Sequence, residues 1–184
     1  HSTEVKQGEF VLVEATDVDE DMVIELIRQI RHAGGLPLVS LKSSRVIREL
    51  VMETDAQTMK QTGNYEAYRM KKVDVHIGIH GDRNMSEMSD VPSEKMQLYR
   101  EHWIGPVHSE IRIPHTRWFC FRWPSPATAQ QANMSTEAFE DFYFKVCTLD
   151  YSKMEAAVVP LKELMGKTNE VRMTAPYTDL TFSI

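Results

Sequence analysis

Short apolar runs alternate with amphipathic helical segments along most of this 184-residue chain. The first run, residues 10–13, holds four consecutive apolar residues, which is typical of a strand buried on both faces. Further strand-like runs cover residues 36–41, 73–79 and 117–123, with helical spacing between them. This alternation predicts right-handed βαβ units and an α/β fold: an open, mostly parallel, Rossmann-like (flavodoxin-like) sheet with helices on both faces.

Local signals set the expected helix limits. Asp17 is expected to cap the first helix, with Glu20 three residues later completing a capping box. Gly105 and Pro106 predict a break in a later helix that begins near Ser93. These signals place polar loops directly after the strands.

The chain shows no internal repeat and no low-complexity tract, so we expect a single α/β domain over residues 1–184. Residues 170–174 and 179–184 are expected to form two closing strands. The chain begins without Met and stops inside the last of these runs, which predicts a piece of a longer protein.

Composition excludes several classes of protein. The chain carries 27 acidic and 21 basic residues, for a net charge of −6, and its basic residues are dispersed, so no nucleic-acid partner is expected. No apolar run reaches about 18 residues, so no membrane partner is expected either. Cys120 and Cys147 are expected to be buried, reduced thiols, which fits a cytoplasmic protein without a signal peptide.

The segments after the strands lack the signatures of nucleotide binding. A dinucleotide site needs a glycine-rich turn after the first strand, where this chain instead has Asp17 and Asp19. No phosphate-binding glycine–lysine loop occurs. A nucleotide-binding regulatory domain is therefore not expected.

The residues also offer no obvious catalytic centre. His76 and His80 lie on one face of a strand, with Cα atoms roughly 13 Å apart, too far to share one metal ion. Cys120 lies among aromatic residues that we expect to be core, where a thiol stays protonated. We therefore expect neither a metal ligand nor a catalytic residue in this chain.

One structural rule still points to a place for function. Ligands and partners of open α/β sheets collect at the carboxyl ends of the strands. The candidates for a cleft or an interdomain contact at these ends are Thr16, Asp17, Gly81, Asp82, Arg83, Asn84 and Pro124.

Five segments, taken in order, resemble one known family. They are STEVKQGE at 2–9, RHAGGLP at 31–37, WFCFRWPSPA at 118–127, MSTEAFEDF at 134–142 and APYTDLTF at 175–182. Together they resemble the amino-terminal domain of the aminopeptidase T and aminopeptidase S family. Members of this family are cytoplasmic dinuclear metallo-aminopeptidases, also called thermophilic metalloproteases. One departure is Ala175-Pro176-Tyr177, where the family often has Gly-Pro-Gly.

The resemblance implies a function for a longer protein. Family members are about twice as long, and their metal ligands follow the TDLT segment, so no ligand or catalytic residue carries over to residues 1–184. The resemblance implies two divalent metal ions (Zn, Co or Mn) in a carboxyl-terminal catalytic domain, peptide substrates and a homodimer. The alternative is a free-standing small-molecule or protein-interaction module.

Overall fold

The computed structural model describes residues 3–184, except the side chain of Glu155, and divides the chain into two compact units. The first unit ends at Glu140 and the second covers Asp141–Ile184. The prediction that residues 1–184 form a single domain stays a prediction.

The first unit alternates strands and helices in the predicted way. Its strands are β1 (Phe10–Thr16), β2 (Leu36–Lys42), β3 (Val75–His80) and β4 (Arg117–Arg122). Its helices are α1 (Glu20–His32), α2 (Ser44–Met52), α3 (Ala56–Met70), α4 (Ser93–Tyr99), a π-helical segment (Arg100–Arg112), α5 (Ile113–His115) and α6 (Pro126–Gln131). Helix α7 (Thr136–Cys147) begins in the first unit and ends in the second.

The four strands form one parallel sheet in the order β2-β1-β3-β4. This is the order with which flavodoxin-like sheets begin. The α/β fold expected from the sequence is therefore confirmed. Since all four strands run in the same direction, their carboxyl ends meet at one edge.

Two hydrophobic cores cover opposite faces of the sheet. Strand β1 supplies both, because its side chains alternate between the faces. Leu12 packs with residues of α2, α3 and the π-helical segment, whereas Val11 and Val13 pack with β3 and α1. Burial on both faces explains why the first strand is a continuous apolar run.

The expected helix break at Gly105 and Pro106 is wrong. The chain stays helical from Ser93 to His115, and its middle part is π-helical. Pro106 lies inside this π-helical part, although it cannot donate a backbone hydrogen bond to the preceding turn. This segment crosses α3 closely at Gly63, where an added Cβ would lie 1.8 Å from the His102 carbonyl oxygen.

The expected capping box of α1 is also wrong. Asp19 occupies the N-cap position without a side-chain cap from the described residues, and Asp17 lies two residues earlier with φ of 54°. The Asp17 carboxylate instead accepts hydrogen bonds from the backbone N–H and the hydroxyl of Ser44. It therefore fixes the start of α2, because the free N–H groups there need an acceptor.

Strand β4 is less buried than its aromatic sequence predicts. It lies at the edge of the sheet, and the Trp118 and Phe119 side chains are 41% and 39% exposed. An edge strand has a neighbour on one side only, which explains this exposure.

The second unit contains α8 (Ser152–Met165) and an antiparallel pair, β5 (Glu170–Ala175) and β6 (Thr178–Ser183). The turn between the strands places Tyr177 at φ of 62°. The two closing strands expected from the sequence are thus present.

Candidate functional site

A cavity of about 340 Å³ opens at the carboxyl ends of β1, β2 and β3. We call it the strand-end cavity and define it by Thr16, Lys42, His80, Glu66 and Arg112. The parallel register places Thr16 beside Lys42 on one side and beside His80 on the other. The sheet itself therefore brings these three polar residues together.

A second cavity, about 570 Å³, lies at the opposite edge of the sheet. It is lined by Val73 and Thr116, which precede β3 and β4. Ligands of open α/β sheets bind at the carboxyl edge, so the strand-end cavity is the stronger candidate site.

A network of four charged side chains lies beside the strand-end cavity, and three of them, Glu14, Lys42 and Glu66, line it. Lys42 Nζ lies 3.0 Å from Glu14 Oε1 and 3.3 Å from Glu66 Oε2. Arg69 lies 2.6 Å from Glu66 and 3.6 Å from Glu14. Both carboxylates are largely withdrawn from water and each contacts two cations, so their negative charge is compensated.

A second ion pair joins Asp82 to Arg122 at the ends of β3 and β4. The Asp82 carbonyl also accepts a hydrogen bond of 2.9 Å from the Ser125 hydroxyl. Ser125 and Thr128 form a capping box at the start of α6. The loop after β3 is thus tied to the loop after β4.

The charge of Arg112 acts on three histidines, and one of them, His108, is hydrogen-bonded to it. Burial lowers the pKa of His76 to about 3, and Arg112 acts in the same direction. Burial also lowers the pKa of His80 and of His108. All three imidazoles are therefore neutral at pH 7, when they can still donate or accept one hydrogen bond each.

Aromatic and aliphatic side chains form the opposite wall. Tyr99 and Trp103 meet edge to face with ring centroids 5.2 Å apart. Lys42 Nζ lies 5.3 Å from the Trp103 centroid, which links this wall to the charged network. Burial raises the pKa of Tyr99 to about 12, so its hydroxyl stays protonated.

The structure places the predicted site residues in different environments. Thr16 and Asp82 line the strand-end cavity. Asp17 is engaged with Ser44, and Gly81 packs so closely on the Asp17 backbone that a Cβ would lie 2.3 Å from its carbonyl oxygen. Asp17 and Gly81 therefore shape the carboxyl edge of the sheet but do not line the cavity.

The other three predicted site residues also lie outside the cavity wall. Arg83 is exposed, and Asn84 is held within its own loop by hydrogen bonds to Ser86 and Glu87. Pro124 is buried after β4. Their proposed role in an interdomain contact stays a prediction.

Sequence reasoning missed Lys42, Glu66 and Arg112. Lys42 could have been found, because it directly follows the apolar run of β2 and the strand-end rule applies to it as well. Glu66 could not be singled out, because it lies in a helix whose sequence is polar throughout. Arg112 could not be placed, because it follows the helix break that Gly105 and Pro106 wrongly predict.

The side chains do not fit a metal centre. Among the residues that the structure describes, no group of three or more His, Cys, Asp or Glu side chains is placed to hold a metal ion. In the strand-end cavity Glu14 and Glu66 are paired with cations, and Arg112 lies among the imidazoles. A positive charge among the donors opposes binding of a divalent cation.

The two thiols are free in the structure; Cys120 is half-buried, whereas Cys147 is exposed, so the expected burial of Cys147 is wrong. Burial raises the pKa of Cys120, which agrees with the expectation of a protonated thiol. Within residues 3–184, none of the helices has both the length and the apolar character needed to cross a bilayer.

Comparison with known proteins gives a family and a fold. The family model described as thermophilic metalloprotease (M29) matches residues 1–184. Among solved structures, wild-type AmpT from Thermus thermophilus is similar with a TM-score of 0.74 at 14% identity. The match covers 100% of this chain and 50% of that chain, so this chain spans about half its length. No curated protein matches.

Proposed function

Because the chain belongs to the thermophilic metalloprotease (M29) family, we propose that it is the amino-terminal, non-catalytic domain of a metal-dependent aminopeptidase. The longer protein would remove amino-terminal residues from peptides in the cytoplasm. Its two divalent metal ions, Zn, Co or Mn, would be held by a carboxyl-terminal domain outside residues 1–184.

The placement of the potential metal-ligating side chains in this chain is the main support for the proposal. The described residues do not gather three metal-ligating side chains. The best-placed carboxylates, Glu14 and Glu66, already contact Lys42 and Arg69. A family that uses metal chemistry therefore has to supply its ligands from elsewhere. The 50% coverage of the AmpT chain leaves room for them.

The role of this domain would be to border the cleft of the catalytic domain and to contribute to a homodimer. Thr16, Asp17, Gly81, Asp82, Arg83, Asn84 and Pro124 would make the interdomain contacts, since they belong to the strand-end edge or its loops. The ion pair between Asp82 and Arg122 would help to hold these loops in one conformation.

The experiment compares the 184-residue chain with the protein of the full natural reading frame. Both are assayed with leucine p-nitroanilide and added Zn, Co or Mn, with and without a chelator. We expect hydrolysis by the longer protein and none by the shorter chain. A reading frame that stops after Ile184 would instead favour the free-standing binding module.

Two variants of the longer protein sharpen this test. His80→Gln and Asp82→Asn each remove a potential metal ligand from the strand-end edge. Both are expected to retain the metal content of the parent protein, with Glu25→Gln on the exposed face of α1 as the control. Loss of metal in either of the first two variants would contradict the proposal.

A further inference from the structure

Arg112 lines the strand-end cavity and has no counter-ion among the described residues. The other cations there are paired: Lys42 contacts Glu14 and Glu66. Arg112 forms no ion pair with any described residue, its hydrogen bonds go to the imidazole of His108, and its guanidinium lies 5.6 Å from the Trp118 centroid. Its Nε is buried and finds no acceptor within the described part of the chain.

The neighbours of Arg112 cannot neutralise it. His76, His80 and His108 are close enough for its charge to lower their pKa, and none of them carries a negative charge. A guanidinium that is partly withdrawn from water pairs best with a planar anion that accepts two parallel hydrogen bonds. None of the described carboxylates that line the cavity lies within ion-pair distance of Arg112, since they pair with Lys42, Arg69 and Arg122.

The cavity limits which anion fits. Three carboxylates, Glu14, Glu66 and Asp82, also line it, so a dianion would meet more repulsion than a monoanion. The rest of the wall is largely apolar and includes Met96 and Ile104. The volume of about 340 Å³ lies within the range of small-molecule sites.

We infer that the strand-end cavity binds a small organic monocarboxylate with an apolar tail. The carboxylate pairs with the Arg112 guanidinium beside His108, and the tail packs against Met96, Ile104 and Trp103. This inference does not depend on the proposed function, because the site lies wholly within the first unit and its test measures binding.

The test uses 4-phenylbutyrate as the probe and isothermal titration calorimetry on the full chain. We expect a dissociation constant below about 1 mM. The neutral amide, 4-phenylbutyramide, has the same shape without the charge and is expected to bind at least about tenfold more weakly. Inorganic phosphate, an anion without a tail, is expected to bind more weakly than the acid.

Three variants locate the bound probe. Arg112→Gln removes the cation and is expected to weaken binding at least about tenfold, whereas Arg112→Lys keeps the charge without the paired donors and should be intermediate. Ile104→Trp fills the cavity and should abolish binding. Arg28→Gln removes an exposed arginine on α1 and should leave binding unchanged.

Three results would each overturn the inference that the cavity binds a monocarboxylate. Equal affinity for the acid and the amide, full affinity in Ile104→Trp, or phosphate binding as tight as the acid would overturn the inference. Circular dichroism establishes that each variant is folded. If Arg112→Gln does not fold, the acid–amide comparison and the Ile104→Trp variant still test the inference. Ile104→Trp is expected to fold because Ile104 is already 36% exposed.

Discussion

His76 makes the stability of the first unit depend on pH in a defined direction. It is 1% exposed, and both ring nitrogens are buried with no hydrogen-bond partner among the residues that the structure describes. Its pKa falls from 6.5 to about 3 on folding, chiefly because burial disfavours the charged ring. The unfolded chain therefore binds a proton below pH 6.5 that the folded chain rejects, and stability is lost as the pH falls from 6.5 towards 3.

The size of the effect follows from the pKa difference. One pKa unit corresponds to about 1.4 kcal/mol, so His76 is expected to cost about 2 kcal/mol of unfolding free energy between pH 7.5 and pH 5. His76→Leu keeps a similar volume and removes this proton. At pH 7.5 the unfolding free energy of the variant should equal that of the parent or exceed it by about 1–2 kcal/mol, because the substitution removes two unsatisfied polar atoms from the core.

Urea unfolding monitored by tryptophan fluorescence measures this difference. All three tryptophans, Trp103, Trp118 and Trp123, lie in the first unit and report on it. His80 and His108 add to the pH dependence of both proteins, so the comparison isolates His76. The reasoning is refuted if His76→Leu loses as much stability as the parent between pH 7.5 and pH 5. Replacement of the exposed His115 by Gln is the control.

Three further predictions concern packing, buried charge and capping in the first unit, and the same unfolding experiment tests them. Gly63→Ala is expected to destabilise it by about 3 kcal/mol, because the new Cβ collides with the His102 carbonyl, whereas Asn64→Ala on the exposed side of α3 should change little. Lys42→Met should cost about 3 kcal/mol, since Glu14 and Glu66 keep only Arg69, and an effect as small as that of the exposed Arg28→Ala would disprove the role given to the network. Ser125→Ala should cost about 1 kcal/mol through loss of the α6 cap, and an unchanged midpoint would contradict it.

The sheet could be predicted from the sequence because burial leaves a direct trace in it. Residues 10–13 are uniformly apolar since β1 contacts a core on each face. The same logic placed Thr16 and Asp82 at the strand ends. The resemblance to the M29 family, seen in five short segments, is confirmed by a match over residues 1–184.

The chemistry of the cavity could not be predicted in the same way. Glu66 and Lys42 are separated by 24 positions, and only the docking of α3 on the sheet makes them partners. Arg112 reaches the cavity because the helix continues through Pro106 as a π-helical segment, which local propensity argues against. The sequence predicts that Asp17 caps α1, whereas its carboxylate accepts a hydrogen bond from Ser44 at the start of α2. Only the folded sheet brings these two residues together.

The metal content of the 184-residue chain tests the central claim most directly. The chain is equilibrated with Zn, Co or Mn, dialysed, and analysed by elemental mass spectrometry. We expect no stoichiometric metal, because Glu14 and Glu66 are paired with cations and the positive charge of Arg112 acts on the imidazoles. Two tightly held ions per chain would contradict this claim. A chelator would then remove the ions and abolish any hydrolysis of leucine p-nitroanilide.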